Sequence, residues 1–192
     1  MKGEGFPQAS PEVIAERKKE HDLGRARIQL DQIDANLDSV EGQIQRIFDK
    51  DNFGGTMHSG PETIFVDIGK MISKTQFEDS VHGASFIAEA SSLLGKINGA
   101  RNAGMQTLES TAYWIKNTEE KLQKYNDEKA EQLQSSLSSF RRKYDRLKRR
   151  LDSLEQGLDF VTNKYERVLA EVEGREAPQE INEIPTPKEK AA

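Results

Sequence analysis

Residues 133–172 read LQSSLSSFRRKYDRLKRRLDSLEQGLDFVTNKYERVLAEV. Apolar side chains recur there at Leu133, Leu137, Phe140, Tyr144, Leu147, Leu151, Leu154, Leu158, Val161, Tyr165, Val168 and Val172, alternating steps of four and three. That alternation is a heptad seam held for more than five repeats. As one helix the stretch would be a rod about 60 Å long, at about 1.5 Å per residue. A single narrow apolar stripe on so long a rod cannot close a core alone and requires another helix. The predicted fold class is therefore all-α and built on long helices.

A second seam lies upstream, at Leu23, Ala26, Leu30, Ile33, Leu37, Val40, Ile44 and Ile47. Its helix has a strong start at Ser10-Pro11-Glu12, where serine caps free amides, proline suits the first helical position and glutamate complements the dipole. The helix is expected over residues 10–49, stopping before Asp51-Asn52-Phe53-Gly54-Gly55. Two seams in one chain predict an antiparallel helical hairpin, a coiled-coil stalk. Taking Leu23 and Leu137 as equivalent core positions, Arg27, Asp34 and Glu41 fall opposite Glu155, Lys148 and Arg141, three attractive pairs. The same register stacks Leu30 on Leu154, Ile33 on Leu151, Leu37 on Leu147 and Ile44 on Phe140. Each flanking ion pair is worth only about 0.3–0.5 kcal/mol, so the charges favour this register weakly. The rival arrangement pairs each seam with another copy of the chain.

The remaining segments are organised around that stalk. Residues 1–9 are expected to be a disordered N-terminus. Residues 50–104 are expected to form a small helical head with a Gly-rich connection, one helix opening at Pro61 and another near Asp79 or Ser80. A long helix is expected over 105–173, its first half marked by Leu108, Ile115, Leu122 and Tyr125, with a phase slip near Lys129. Gly174 ends it, and 174–192 reads as a disordered, proline-punctuated charged tail.

Composition agrees with extended helices. Hydrophobic residues make up 34% and charged residues 32% of the chain, against about 45–50% and about 25% for average globular proteins. A net charge of −5 disfavours nucleic acid as partner. The absence of cysteine excludes disulfides, thiol nucleophiles and thiolate-ligated zinc, and leaves the compartment open. The N-terminal residues lack the apolar core of a secretory signal. No apolar run is long enough to span a bilayer, so the expectation is a soluble protein that at most touches a membrane surface.

Few motifs carry chemistry. Asp49 to Gly60 begins like a calcium loop, but Phe53 and Gly60 stand where an oxygen ligand and a glutamate are needed. His21, His58 and His82 are isolated, without a second ligand at helical spacing. No phosphate loop and no nucleophile elbow is present, so neither a cofactor, a metal nor a small-molecule substrate is expected. Ser91, Gly95, Gly99 and Ala103 form a small-residue strip that suits close helix packing, with membrane insertion of residues 83–104 as the rival. The basic segment FRRKYDRLKRR (residues 140–150) rings the seam, and Arg142, Arg146 and Arg149 lie farthest from it as a surface for an acidic partner. Tyr113-Trp114 reads as a packing pair, with an interface anchor as the rival, and the tail reads as an unstructured solubilising segment, with docking of Ile181 and Ile184 into a partner groove as the rival. The functional expectation is a non-enzymatic structural or scaffolding subunit of a filament, secretion apparatus or virion, partnered by protein or by its own copies. A membrane-active protein and a soluble adaptor working through its basic helix and tail are the alternatives.

Overall fold

Ser10 starts the first helix as its sequence predicts: its hydroxyl accepts the Val13 amide at 3.4 Å, and Pro11 takes the first helical position. The computed structural model describes residues 10–47 and 83–181. The expectations for residues 1–9, for the connection and helix between 48 and 82, and for Ile184 lie outside those residues. The described chain is all-helical, with no strand: α1 (Pro11–Ile47), α2 (Gly83–Leu122) and α3 (Glu128–Glu173).

The helix expected to run unbroken from 105 to 173 is two helices. Asn126-Asp127 interrupts it, and the Asp127 carboxylate accepts the Ala130 amide at 3.0 Å as the N-cap of α3. Conversely, no boundary falls at residue 104, because α2 runs through it from the expected head. The turn is tight. The Tyr125 amide donates to the Leu122 carbonyl at 3.1 Å, and Gln134 of α3 donates a side-chain amide to that same carbonyl at 3.1 Å. Gly174 ends α3 in the left-handed conformation (φ 66°), with Gly174 N–H on the Glu171 carbonyl and Arg175 N–H on the Ala170 carbonyl. This double bond pattern is a Schellman cap, and it needs the glycine.

The expected two-helix hairpin is replaced by an up-down-up arrangement. α1 and α2 are antiparallel, since Asp22 meets Tyr125 and Asn36 meets Thr111. α2 and α3 are antiparallel, since Glu119 meets Arg141 and Arg101 meets Glu155. α1 and α3 are consequently parallel, with Lys19 on Asp127 and Glu41 on Arg146. One core runs between them. All eight seam positions of α1 are buried, and Leu147, Leu151, Leu154 and Val161 of α3 are fully enclosed, with Leu137 and Leu158 nearly so. Ile97, Leu108, Ile115 and Leu122 of α2 complete it.

Candidate interaction surfaces

The α1–α2 contact carries a polar ladder. On α1 its members are Asp22, Gln29, Asn36 and Gln43, and on α2 they are Tyr125, Thr118, Thr111 and Gly104, each set stepping by seven residues in opposite directions. Tyr125 donates its hydroxyl to Asp22 at 2.7 Å. Gln29 Oε1 accepts from Lys121 Nζ at 3.2 Å and lies 3.2 Å from the Thr118 hydroxyl. Asn36 Nδ2 donates to Thr111 Oγ1 at 3.2 Å, while Asn36 Oδ1 accepts from Gln32 at 2.9 Å. At the last rung α2 has no side chain: a Cβ on Gly104 would lie 3.4 Å from Gln43 Oε1 and 3.0 Å from Leu151. Thr111 and Thr118 are fully buried, and both also donate to the carbonyl four residues back, which keeps their hydroxyls satisfied.

The hydrogen bond between Tyr125 and Asp22 is the main reason the tyrosine pKa is raised and the aspartate pKa lowered. At the same end of the bundle, the Asp127 pKa is lowered chiefly by Lys19, 2.9 Å away, and then by the Ala130 amide.

The α1–α3 contact is held by a charge cluster around Lys143. Its ammonium hydrogen-bonds Asp38 and lies 3.8 Å from Asp34 and 3.6 Å from Glu41. Hydrogen bonding to Asp38 is the main cause of its raised pKa. The flanking pairs expected from sequence are thus redistributed. Asp34 faces Lys143 rather than Lys148, Glu41 faces Arg146 and Lys143 rather than Arg141, and Glu155 faces Arg101 rather than Arg27. Arg141 forks both guanidinium nitrogens onto Glu119 at 3.1 and 2.8 Å. The physical reason is direction: α1 and α3 run parallel, so an antiparallel register cannot bring those residues together.

The expected seam residues fare differently from their expected pairings. Leu30, Ile33, Leu37, Ile44, Leu147, Leu151 and Leu154 are buried and Phe140 is half-buried against the core. Parallel helices rule out the predicted stacks, such as Leu30 on Leu154. Of the basic surface, Arg142 and Arg149 are exposed, Arg149 donating to the Asp145 carbonyl, while Arg146 joins Glu41 at 3.4 Å. Ser91, Gly95, Gly99 and Ala103 are exposed rather than packed against another described helix. Tyr113 is 66% exposed and meets half-buried Trp114 edge-on.

Sequence reasoning missed the ladder and the polar level at its end. Thr111, Thr118 and Gly104 continue the four-three spacing of Leu108, Ile115 and Leu122, a signal hidden by counting only apolar residues. Near the end of α1, Gln43 Oε1, Arg101 Nε and Gln156 Oε1 are buried without a hydrogen-bond partner among the described residues. Also unforeseen was Asn163, which bonds the backbone of the segment after α3.

None of the described helices is long and apolar enough to cross a membrane. Among the described residues, no group of three or more His, Asp or Glu side chains converges as a metal site. No family model, curated relative or solved structure matches this chain.

Proposed function

We propose that this protein is a non-enzymatic structural or scaffolding subunit of a larger assembly, of the filament, secretion-apparatus or virion kind, with other proteins or its own copies as partners. The observation that carries the reading is the α1–α2 ladder. Polar side chains at seven-residue intervals match on two antiparallel helices, and such buried polar contacts fix register at some cost in stability. A long bundle with a fixed register suits a part that spaces or holds partners. The apolar seam of α1 is consumed internally, so assembly through charge falls to the outer faces, where Arg142 and Arg149 of the basic segment are exposed.

The test is absolute mass by light scattering over a concentration series, at low and at high salt. A defined multimer, weakened by salt and by charge reversal at Arg142 and Arg149, is the expected result. A monomer of 21.7 kDa under every condition would exclude self-assembly through this face.

A further inference from the structure

The outer face of α1 is bare among the described residues. Every residue at its three outward heptad positions between Ile14 and Arg46 is exposed, and Ile28 at 69% is the most exposed large apolar side chain described. Ile28 stands midway along the helix, roughly 27 Å from either end at about 1.5 Å per residue. The chain therefore enters and leaves α1 far from it. Gly83, where α2 begins, is more remote still, because the antiparallel pairing of Asn36 with Thr111 puts it beyond Ile47.

The charges of this face are arranged symmetrically about Ile28. Its carboxylates are Asp31 and Asp38, three and ten residues after Ile28, and Arg25 and Lys18 lie three and ten residues before it. A second α1 laid antiparallel across an axis at Ile28 sets Arg25 on the partner's Asp31 and Lys18 on the partner's Asp38. The two-fold axis makes each contact twice. Lys18, Arg25 and Asp31 form no hydrogen bond or ion pair among the described residues. Asp38 binds Lys143 but keeps 65% of its side chain exposed. Sliding by one heptad in either direction keeps only one of the two pairs, and one direction also sets Arg17 against the partner's Arg46.

Side-chain size follows the same symmetry. Ile28 meets its own copy across the axis, His21 falls on the partner's Ala35, and Ile14 falls on the partner's Gly42. A Cβ added at Gly42 would meet nothing within 4 Å, so contacts among the described residues give no reason for a glycine that weakens a helix interior. The partner's Ile14 supplies one. An anionic surface such as a bilayer or nucleic acid fits this face less well, because Asp31 and Asp38 lie in the same row as the cations.

We propose that two copies of this chain associate through the outer face of α1, antiparallel about a two-fold axis at Ile28, with Arg25–Asp31 and Lys18–Asp38 pairs on either side. This rests on the reading of the protein as an assembly subunit, and it names a second copy as partner at a face separate from Arg142 and Arg149.

The full chain has no cysteine, so single cysteine variants give an unambiguous cross-link. Ile28→Cys lies on the axis and should form a disulfide-linked dimer under mild oxidation. Ala35→Cys, equally on the exposed face, should not, since its two copies would stand roughly 21 Å apart along the helices. In light scattering, Arg25→Asp should weaken the dimer about tenfold, because attraction becomes repulsion at both symmetry-related pairs. Arg25→Asp combined with Asp31→Arg should restore it, and circular dichroism checks that helicity is unchanged throughout. No cross-link at residue 28, equal cross-linking at 28 and 35, or a dimer indifferent to Arg25→Asp would each overturn the proposal. A multimer lost on reversing Arg142 and Arg149 but not Arg25 would overturn this interface while leaving self-assembly in place. A monomer at every concentration would overturn both.

Discussion

Asn36 and Thr111, 75 residues apart in sequence, share a hydrogen bond of 3.2 Å inside the α1–α2 contact. Thr111 has no exposed surface, and its own proton goes to the Thr107 carbonyl at 2.7 Å. The hydroxyl therefore serves Asn36 as an acceptor, with the direction of both bonds fixed. Replacing Thr111 by valine keeps the shape but strands the Asn36 amide.

Thr111→Val is expected to cost about 1–2 kcal/mol of stability in urea denaturation, the penalty of a polar group left half-paired. Asn36→Leu with Thr111→Val removes both partners and should recover most of that loss. The recovered variant should also lose register control, seen as a mixture of oligomers by light scattering. A double variant as unstable as the sum of the two singles would show that the bond carries no coupling.

How far the fold was legible depended on which residues were counted. The α1 seam, its Ser10 start and the buried positions of α3 follow from heptad spacing and capping chemistry. The pairing did not, because three weak flanking ion pairs were asked to choose between arrangements that differ in helix number. The extent of the α2 core face was hidden by its polar row: Gly104, Thr111 and Thr118 share the spacing of Leu108, Ile115 and Leu122, but only Gln43, Asn36 and Gln29 opposite them reveal that they pack inward. The break at Asn126-Asp127 is a strong cap signal that a continuous seam on either side concealed. Asn163 has no signal in sequence, since its partners are backbone atoms 16 and 18 residues away.

Lys143 lies among three carboxylates of α1 and is mostly covered, with its side chain 21% exposed. Lys143→Glu should lower stability by about 1 kcal/mol or more through repulsion at Asp38, Asp34 and Glu41. Adding Asp38→Lys should return part of it. Lys148 is exposed and off this cluster, so Lys148→Glu should stay within about 0.5 kcal/mol of wild type. A larger effect at Lys148 than at Lys143 would contradict the parallel placement of α1 and α3.

The Asp22–Tyr125 bond predicts a stability plateau bounded on both sides. The hydrogen bond lowers the Asp22 pKa, so its contribution is present above the unfolded value of about pH 4 and is lost as pH falls through the folded value. The same bond raises the Tyr125 pKa, so that contribution is present below about pH 10 and is lost as pH rises through the folded value. Tyr125→Phe removes both. The gap in urea midpoint between wild type and Tyr125→Phe should be constant from about pH 5 to about pH 9 and shrink outside that window. A gap that does not change with pH would mean the bond is absent in solution.

Glycines at different levels of α2 should respond oppositely to the same substitution. At Gly99 a new Cβ meets no described atom within 4 Å, so Gly99→Ala should stabilise by about 0.5–1 kcal/mol through helix propensity alone. At Gly104 the Cβ would lie 3.0 and 3.2 Å from the two methyl carbons of Leu151, which is itself completely buried. Leu151 cannot swing outward to make room, so Gly104→Ala should lose the propensity gain and fall below wild type, by about 1–3 kcal/mol as for other overpacked cores. Gly104→Ala combined with Leu151→Val tests the cause, because shortening the leucine frees the space and should return part of the loss. Thermal or urea unfolding of the four proteins reads all of this. A stabilising Gly104→Ala would show that α2 does not approach α3 as closely as the Gly104–Leu151 contact requires.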